Sequence, residues 1–186
     1  MQMKEHGQGR LNKLIAELAE AKRELDRLTL DEENVPELGK PCSARQIATL
    51  EGILGKPLPP SYRSFLELHN GWKSFDGDAK LLAVEDHGSG WVKERVKGLG
   101  FLFQEFESED PFKEGAIPVL LGKKERNFLV LDPRTVRPNG EMDFVSYDLT
   151  EEEDRYKSFT SFLQDALKLT RELVKDEKEG TAEDEV

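Results

Sequence analysis

Two runs of carboxylates offer the most chemistry in this chain: Glu105, Glu107, Glu109 and Asp110 in one segment, and Glu151, Glu152, Glu153 and Asp154 in another. Neighbouring carboxylates do acid–base work when burial raises the pKa of one member above that of the other. Both runs lie among polar residues, so solvated charge is expected rather than a catalytic pair. The other candidates fail on spacing. Glu85, Asp86 and His87 stand in a row at the end of an extended segment and read as a solvated strand end, not a ligand cluster. Asp76 and Asp78 lack the third ligand and the distant bidentate Glu of a calcium loop. Ser89 is not in a Gly-x-Ser-x-Gly elbow, and Cys42 has no His nearby in sequence. Gly122-Lys123 is followed by Lys124 where a phosphate loop needs Ser or Thr. The Gly88 and Gly98 turns lack the third glycine of a dinucleotide fingerprint. No catalytic, metal-binding or cofactor-binding residue is expected.

The elements that must carry these carboxylates are written most clearly between residues 43 and 72. Ser43 followed by Gln46 is a capping box, Ile47, Leu50 and Leu54 then share a face, and Gly55 supplies a left-handed exit. Pro59 and Pro60 suit the first turn of a second helix, on which Tyr62, Phe65, Leu66 and His69 share a side before Asn70-Gly71 ends it. The spacing predicts a helical hairpin. Beyond it the period becomes extended: KLLAVED at 80–86, IPVLL at 117–121, NFLVLD at 127–132 and MDFVSYD at 142–148 read as strands. Residues 88–100 and 105–115 read as connections, with a further short strand at 91–96 or 101–106. Ser158 caps a last helix with Phe159, Phe162, Leu163, Ala166, Leu167, Thr170, Leu173 and Val174 on one face, expected to cover the sheet.

Before the hairpin, Leu11, Leu14, Leu18, Ala21, Leu25 and Leu28 keep heptad spacing over residues 1–28, an amphipathic arm. The seam is short for a sustained coiled coil. Packing within the chain is expected, giving a monomer, with a weak dimer through the arm as the alternative. Residues 29–42 read as a linker, 43–174 as the domain, and the charged 175–186 as a disordered acidic tail. Helices, then strands, then a helix predict an α+β fold.

Ile47, Leu50-Glu51, Leu54-Gly55, Leu58-Pro59, Tyr62, Phe65-Leu66 and Asn70-Gly71, followed in order by AIPVLLG, NFLVLD and SFTSFL, resemble the SUKH superfamily in its Smi/Knr-like branch. The resemblance covers roughly residues 41–173. It implies an antiparallel or mixed sheet with the hairpin and the last helix packed on it. It also implies a non-catalytic module: bacterial members look like immunity proteins that bind a cognate toxin domain, often a nuclease, and fungal ones like cell-wall regulators. One departure stands out. Many relatives carry a Gly-acid pair before the strand that here starts at Phe128, whereas this chain has Lys123-Lys124-Glu125-Arg126.

Charge narrows the partner. With 37% hydrophobic and 35% charged residues the chain is globular, and its formal charge of −11 repels nucleic acid and anionic membranes at long range. No run is apolar enough to span a bilayer, the start has no secretory apolar core, and one cysteine forms no internal disulfide, so cytoplasmic residence is expected. A basic protein is the partner the charge favours, and together with what the resemblance implies this makes a cationic nuclease toxin the expected partner. The two acidic runs are the candidate contacts, and a regulatory scaffold using the arm and tail is the alternative.

Overall fold

The computed structural model describes residues 2–30 and 35–184, with side chains described for 8–30 and 35–180. Its helical hairpin follows from its caps. The Ser43 hydroxyl accepts the Gln46 N–H, and the Gln46 side chain accepts the Ser43 N–H at 2.8 Å, starting α2 (Ala44–Leu54). Gly55, at φ 74, closes it. The next helix, α3 (Pro60–Leu68), is entered from Pro59, which has no side-chain donor or acceptor to cap with. The Glu141 carboxylate takes that role from a distant connection, accepting the Ser61 N–H at 2.9 Å and its hydroxyl at 2.7 Å. A carboxylate there also offsets the positive end of the helix dipole. Gly71, at φ 82, leaves the hairpin where an added Cβ would sit 2.7 Å from the Leu81 carbonyl oxygen, so only glycine fits.

Seven strands follow one another across a single antiparallel sheet in chain order: β1 (Glu37–Leu38), β2 (Trp72–Asp76), β3 (Ala79–Leu81), β4 (Ile117–Leu121), β5 (Asn127–Asp132), β6 (Asp143–Asp148) and β7 (Glu151–Tyr156). The central strands β4 to β6 are buried on both faces, which is why they read as nearly continuous apolar runs. Along β5 and β6, Phe128 opposes Tyr147 and Val130 opposes Val145; these four pack with Val92, Leu99 and Phe103 of α4 (Gly90–Glu105). The alternate residue Phe144 faces the hairpin, its ring 5.7 Å from Tyr62 and 5.4 Å from Phe159. Period-two alternation therefore serves two separate aromatic clusters. Leu50, Phe65, Phe128, Leu129 and Phe162, expected in the core, are all buried. The α+β architecture matches the expectation from element order.

Within residues 37–159 several segments differ from the sequence reading. Residues 90–105 form α4 rather than a connection with a short strand; Val92, Leu99 and Phe103 lie on one helical face, a stripe diluted by three glycines. The strand expected at 80–86 ends at Leu81, and Val84–Gly88 turns as a 3-10 helix because the Asp86 carboxylate accepts the Ala83 N–H. Part of the expected linker joins the sheet as β1, pairing Glu37 with Lys73. The 151–154 acidic run lies in β7, which pairs with β6.

Residues 37–159 form one compact unit; α1 (Gln2–Leu30) and the part of α5 (Phe159–Asp184) beyond Phe159 form another. In the second unit Glu17 pairs with Arg171 and Glu24 with Lys178, both at a separation of 154 residues. A constant offset means the two helices run parallel, and the pairs recur one heptad apart. Buried Leu11, Ile15, Leu18 and Ala21 on α1, and Leu163, Leu167, Thr170 and Val174 on α5, supply the apolar face of each helix. The ion pairs then occupy the flanking positions that fix register in a parallel zipper. The seam thus has a partner within the chain. The expected disordered stretch at 175–186 is helical as far as Asp184, with residues 185–186 outside the described residues. Its Lys, Glu and Ala are good helix formers, and Lys175 pairs with Glu179 at helical spacing.

Candidate protein-binding face

The first acidic run leaves α4 and enters a tight turn. Glu105, Glu107 and Glu109 are exposed, and Glu107 stands at φ 54. Asp110 differs from its neighbours: it is buried, and its carboxylate accepts the Phe112 N–H at 3.0 Å. It organises the turn, and its burial sets it apart from the three exposed members of the run. The second run is the outer strand β7, where Glu151, Glu152, Glu153 and Asp154 are all exposed.

A ladder of alternating charge connects the two runs. Glu109 accepts from Arg134 Nη1 at 3.1 Å, and Arg134 Nε donates to Asp132 at 2.9 Å. Asp132 also accepts from Arg155 Nη1 at 3.4 Å, and Arg155 Nη2 donates to Glu152 at 2.8 Å. A branch runs from Arg155 to Asp143 at 3.3 Å and on to Arg137. Asp132 and Asp143 are buried carboxylates at the end of β5 and the start of β6. Burial alone pushes the Asp132 carboxyl up, but hydrogen bonds from Arg134 and Arg155 outweigh it and hold it below the usual carboxylate range. Both guanidinium groups are stabilised in turn, Arg134 chiefly by Asp132 and Arg155 chiefly by Glu152. Only the aspartates are buried; the arginines are partly exposed, so removing one leaves a buried carboxylate short of a partner, whereas the outer contacts to Glu109 and Glu152 are screened by solvent. The ladder therefore links Glu109 and Glu152 to the buried Asp132.

Several of the candidates rejected on spacing make structural contacts. Burial pushes the Cys42 thiol up to about 11, helped by Glu85, which opposes a nucleophilic thiolate. Glu85 accepts hydrogen bonds from Gln46 and Asn70, and Asp86 pairs with Lys80, so both carboxylates hold structure. Among the described residues no three His, Cys, Asp or Glu side chains gather as a metal site. A pocket of about 400 Å³ lies beside Asn70, Trp72, Lys80 and Asp86, but Lys73 is paired with Glu37 and Lys80 with Asp86. Of the described helices, none is long and apolar enough to cross a membrane.

Residues 41–165 match the model of the SMI1 / KNR4 family (SUKH-1). The chain belongs to that family. No curated protein matches it. Within this SMI1 / KNR4 domain the unusual 123–126 segment still turns between β4 and β5, because it is held from outside: the Asp78 carboxylate accepts the N–H groups of Lys123 and Lys124 at 3.0 Å and of Glu125 at 3.2 Å. A carboxylate in a ring of amides does here what a glycine-acid turn does locally. The family match stops short of α1 and of most of α5. Sequence reasoning missed Asp132, Arg134, Asp143 and Arg155, the residues that tie the two acidic runs together. An Asp at the end of one apolar strand and another at the start of the next was the available signal, since a carboxylate there is buried only with a cation.

Proposed function

We propose that this chain is a non-catalytic immunity protein that binds a basic toxin domain, of nuclease type, inside the cell and holds it inactive. The observation that carries the reading is the ladder, which gathers Glu109 and Glu152, and with them two acidic runs distant in sequence, into one connected ionic network. A nuclease must attract phosphate and so presents a basic active-site face; an acidic inhibitor meets it quickly and covers it. Blocking by occlusion needs no turnover. Nucleic acid and membrane surfaces are not partners in this reading. The test is capture of the polypeptide encoded beside this one, with its association followed by stopped flow as salt is raised. Glu105→Gln, Glu107→Gln, Glu151→Gln and Glu153→Gln combined should slow association by about 10-fold, with dissociation changed far less. An association rate indifferent to both salt and the substitutions would remove the electrostatic mechanism.

A second reading draws on one observation. The parallel pair α1 and α5 lies largely outside the family match, as an added binding element would. A regulatory scaffold of the cell-wall-regulator kind would use it to engage other proteins. Loss of partner capture on disrupting the helix pair, with the acidic face intact, favours this scaffold.

A further inference from the structure

The strand β7 ends the sheet. Its one hydrogen-bonded neighbour is β6, so the main-chain N–H and C=O groups that alternate along its other side have no partner strand. Glu151 to Arg155 are all exposed, and because successive side chains point to opposite faces, neither face of the strand is covered. The cations nearby are committed or lie beyond the strand: Arg155 donates to Glu152, Asp132 and Asp143 of its own chain, Arg126 at the β6–β7 turn is held by Asp148, and Lys157 follows the last residue of β7. Among the described residues no cation pairs with Glu151, Glu153 or Asp154. Charge of one sign closes an edge to strands of the same sign, and the bulge at Glu153 between the Tyr147–Glu152 and Ser146–Asp154 pairs adds to that protection. It leaves the edge open to a strand of opposite sign.

We propose that the free edge of β7 accepts an extended segment of another protein, rich in Lys or Arg, as an eighth strand of the sheet. The assignment rests on the inhibitor reading and gives it a binding mode. Main-chain hydrogen bonds would pair the incoming segment with β7, and its cations would stand opposite Glu151, Glu153 and Asp154. Charge complementarity selects this occupant. A second copy of the chain would set Glu153 against Asp154 in the antiparallel pairing centred on the strand, with Arg155 already spent on Asp132 and Asp143. An uncharged strand would find the same backbone but gain nothing from the three carboxylates.

The probe is the peptide acetyl-Lys-Val-Lys-Val-Lys-Val-amide, added to the full chain. Its control is the same peptide methylated at every main-chain nitrogen, equal in charge but without main-chain donors. With the first peptide, amide exchange followed by NMR should slow by about 10-fold or more at the β7 N–H groups that face away from β6; with the control it should not change. Glu151→Gln, Glu153→Gln and Asp154→Asn combined should weaken the peptide by about 10-fold at low salt and flatten its salt dependence. The three side chains are exposed, so this variant should melt as the parent does. Equal binding of the methylated peptide, or protection gained elsewhere and not in β7, overturns strand addition. The polypeptide encoded beside this chain separates the two proposals. If it is bound while β7 exchanges as in the free chain, strand addition falls and the inhibitor reading stands; if the peptide protects β7 but that polypeptide is not bound, the inhibitor reading falls and the edge site stands.

Discussion

The sheet unit and the helix pair are stabilised by different physics. In the sheet unit Tyr62, Phe65, Phe144 and Phe159 interlock at ring separations of 4.9–5.7 Å where contacts across the hairpin are made, and a second aromatic cluster lies under α4. The helix pair has a narrow seam closed at one layer by Thr170 and flanked by exposed ion pairs. Aromatic burial is insensitive to salt and expensive to disturb; exposed pairs are screened and individually worth little. The family match covers the first and leaves out most of the second.

The sharpest way to break the contrast is Phe65→Ala. Phe65 is fully buried between Tyr62 and Phe159, so its loss should cost about 3–5 kcal/mol in denaturant unfolding and lower protection across the sheet. Next comes Leu18→Ala on α1, expected to cost about 2–4 kcal/mol. Hydrogen exchange should show that loss in α1 and α5 while β4 to β6 keep their protection; equal loss everywhere would make the two units one cooperative block.

Acid should distinguish the units as well. Burial holds His87, in the sheet unit, largely neutral, its pKa pushed down to about 4 against Asp86, which acts the other way. An unfolded chain protonates the same imidazole near pH 6.5. Stability from this group is therefore complete above about pH 6.5 and lost as pH falls towards 4, on the order of 2–3 kcal/mol in all. Asp132, whose carboxyl is held low, loses its contribution only at pH below its ordinary range. Urea titrations at successive pH values should show the slope between 6.5 and 4, and His87→Leu should flatten it. The smallest effect belongs to Lys178→Glu, which replaces an attraction to Glu24 by a repulsion between exposed groups; an unfolding midpoint shifted as far as that of Leu18→Ala would mean that the pair is more than a surface contact.

How much of this was legible varied with where the stabilising partner sits. The hairpin could be read because Ser43, Gln46, Gly55, Pro60 and Gly71 each act on their own backbone. The strands β4, β5 and β6 could be read because burial on both faces leaves an apolar run. EEEDRY could not: β7 has no apolar face and exists by hydrogen bonding to β6. Residues 90–105 were obscured by Gly90, Gly98 and Gly100, and by Phe101, an aromatic side chain that faces away from the core stripe. For the candidate face, the exposed glutamates were visible as a composition, but the burial of Asp110 in its turn and the Arg134–Asp132–Arg155 links depend on tertiary placement.

The parallel pairing of α1 with α5 has a consequence for synthesis. Glu17 and Glu24 of α1 wait for partners made 154 residues later, roughly 10–30 s at about 5–20 residues per second on the ribosome. During that interval Leu11, Ile15 and Leu18 are an uncovered stripe on a nascent chain, and the nearest matching α5 can belong to a neighbour on the same message. Exchange of α1 between two copies would use the same seam and the same Glu17–Arg171 and Glu24–Lys178 pairs, so it would require no separate interface.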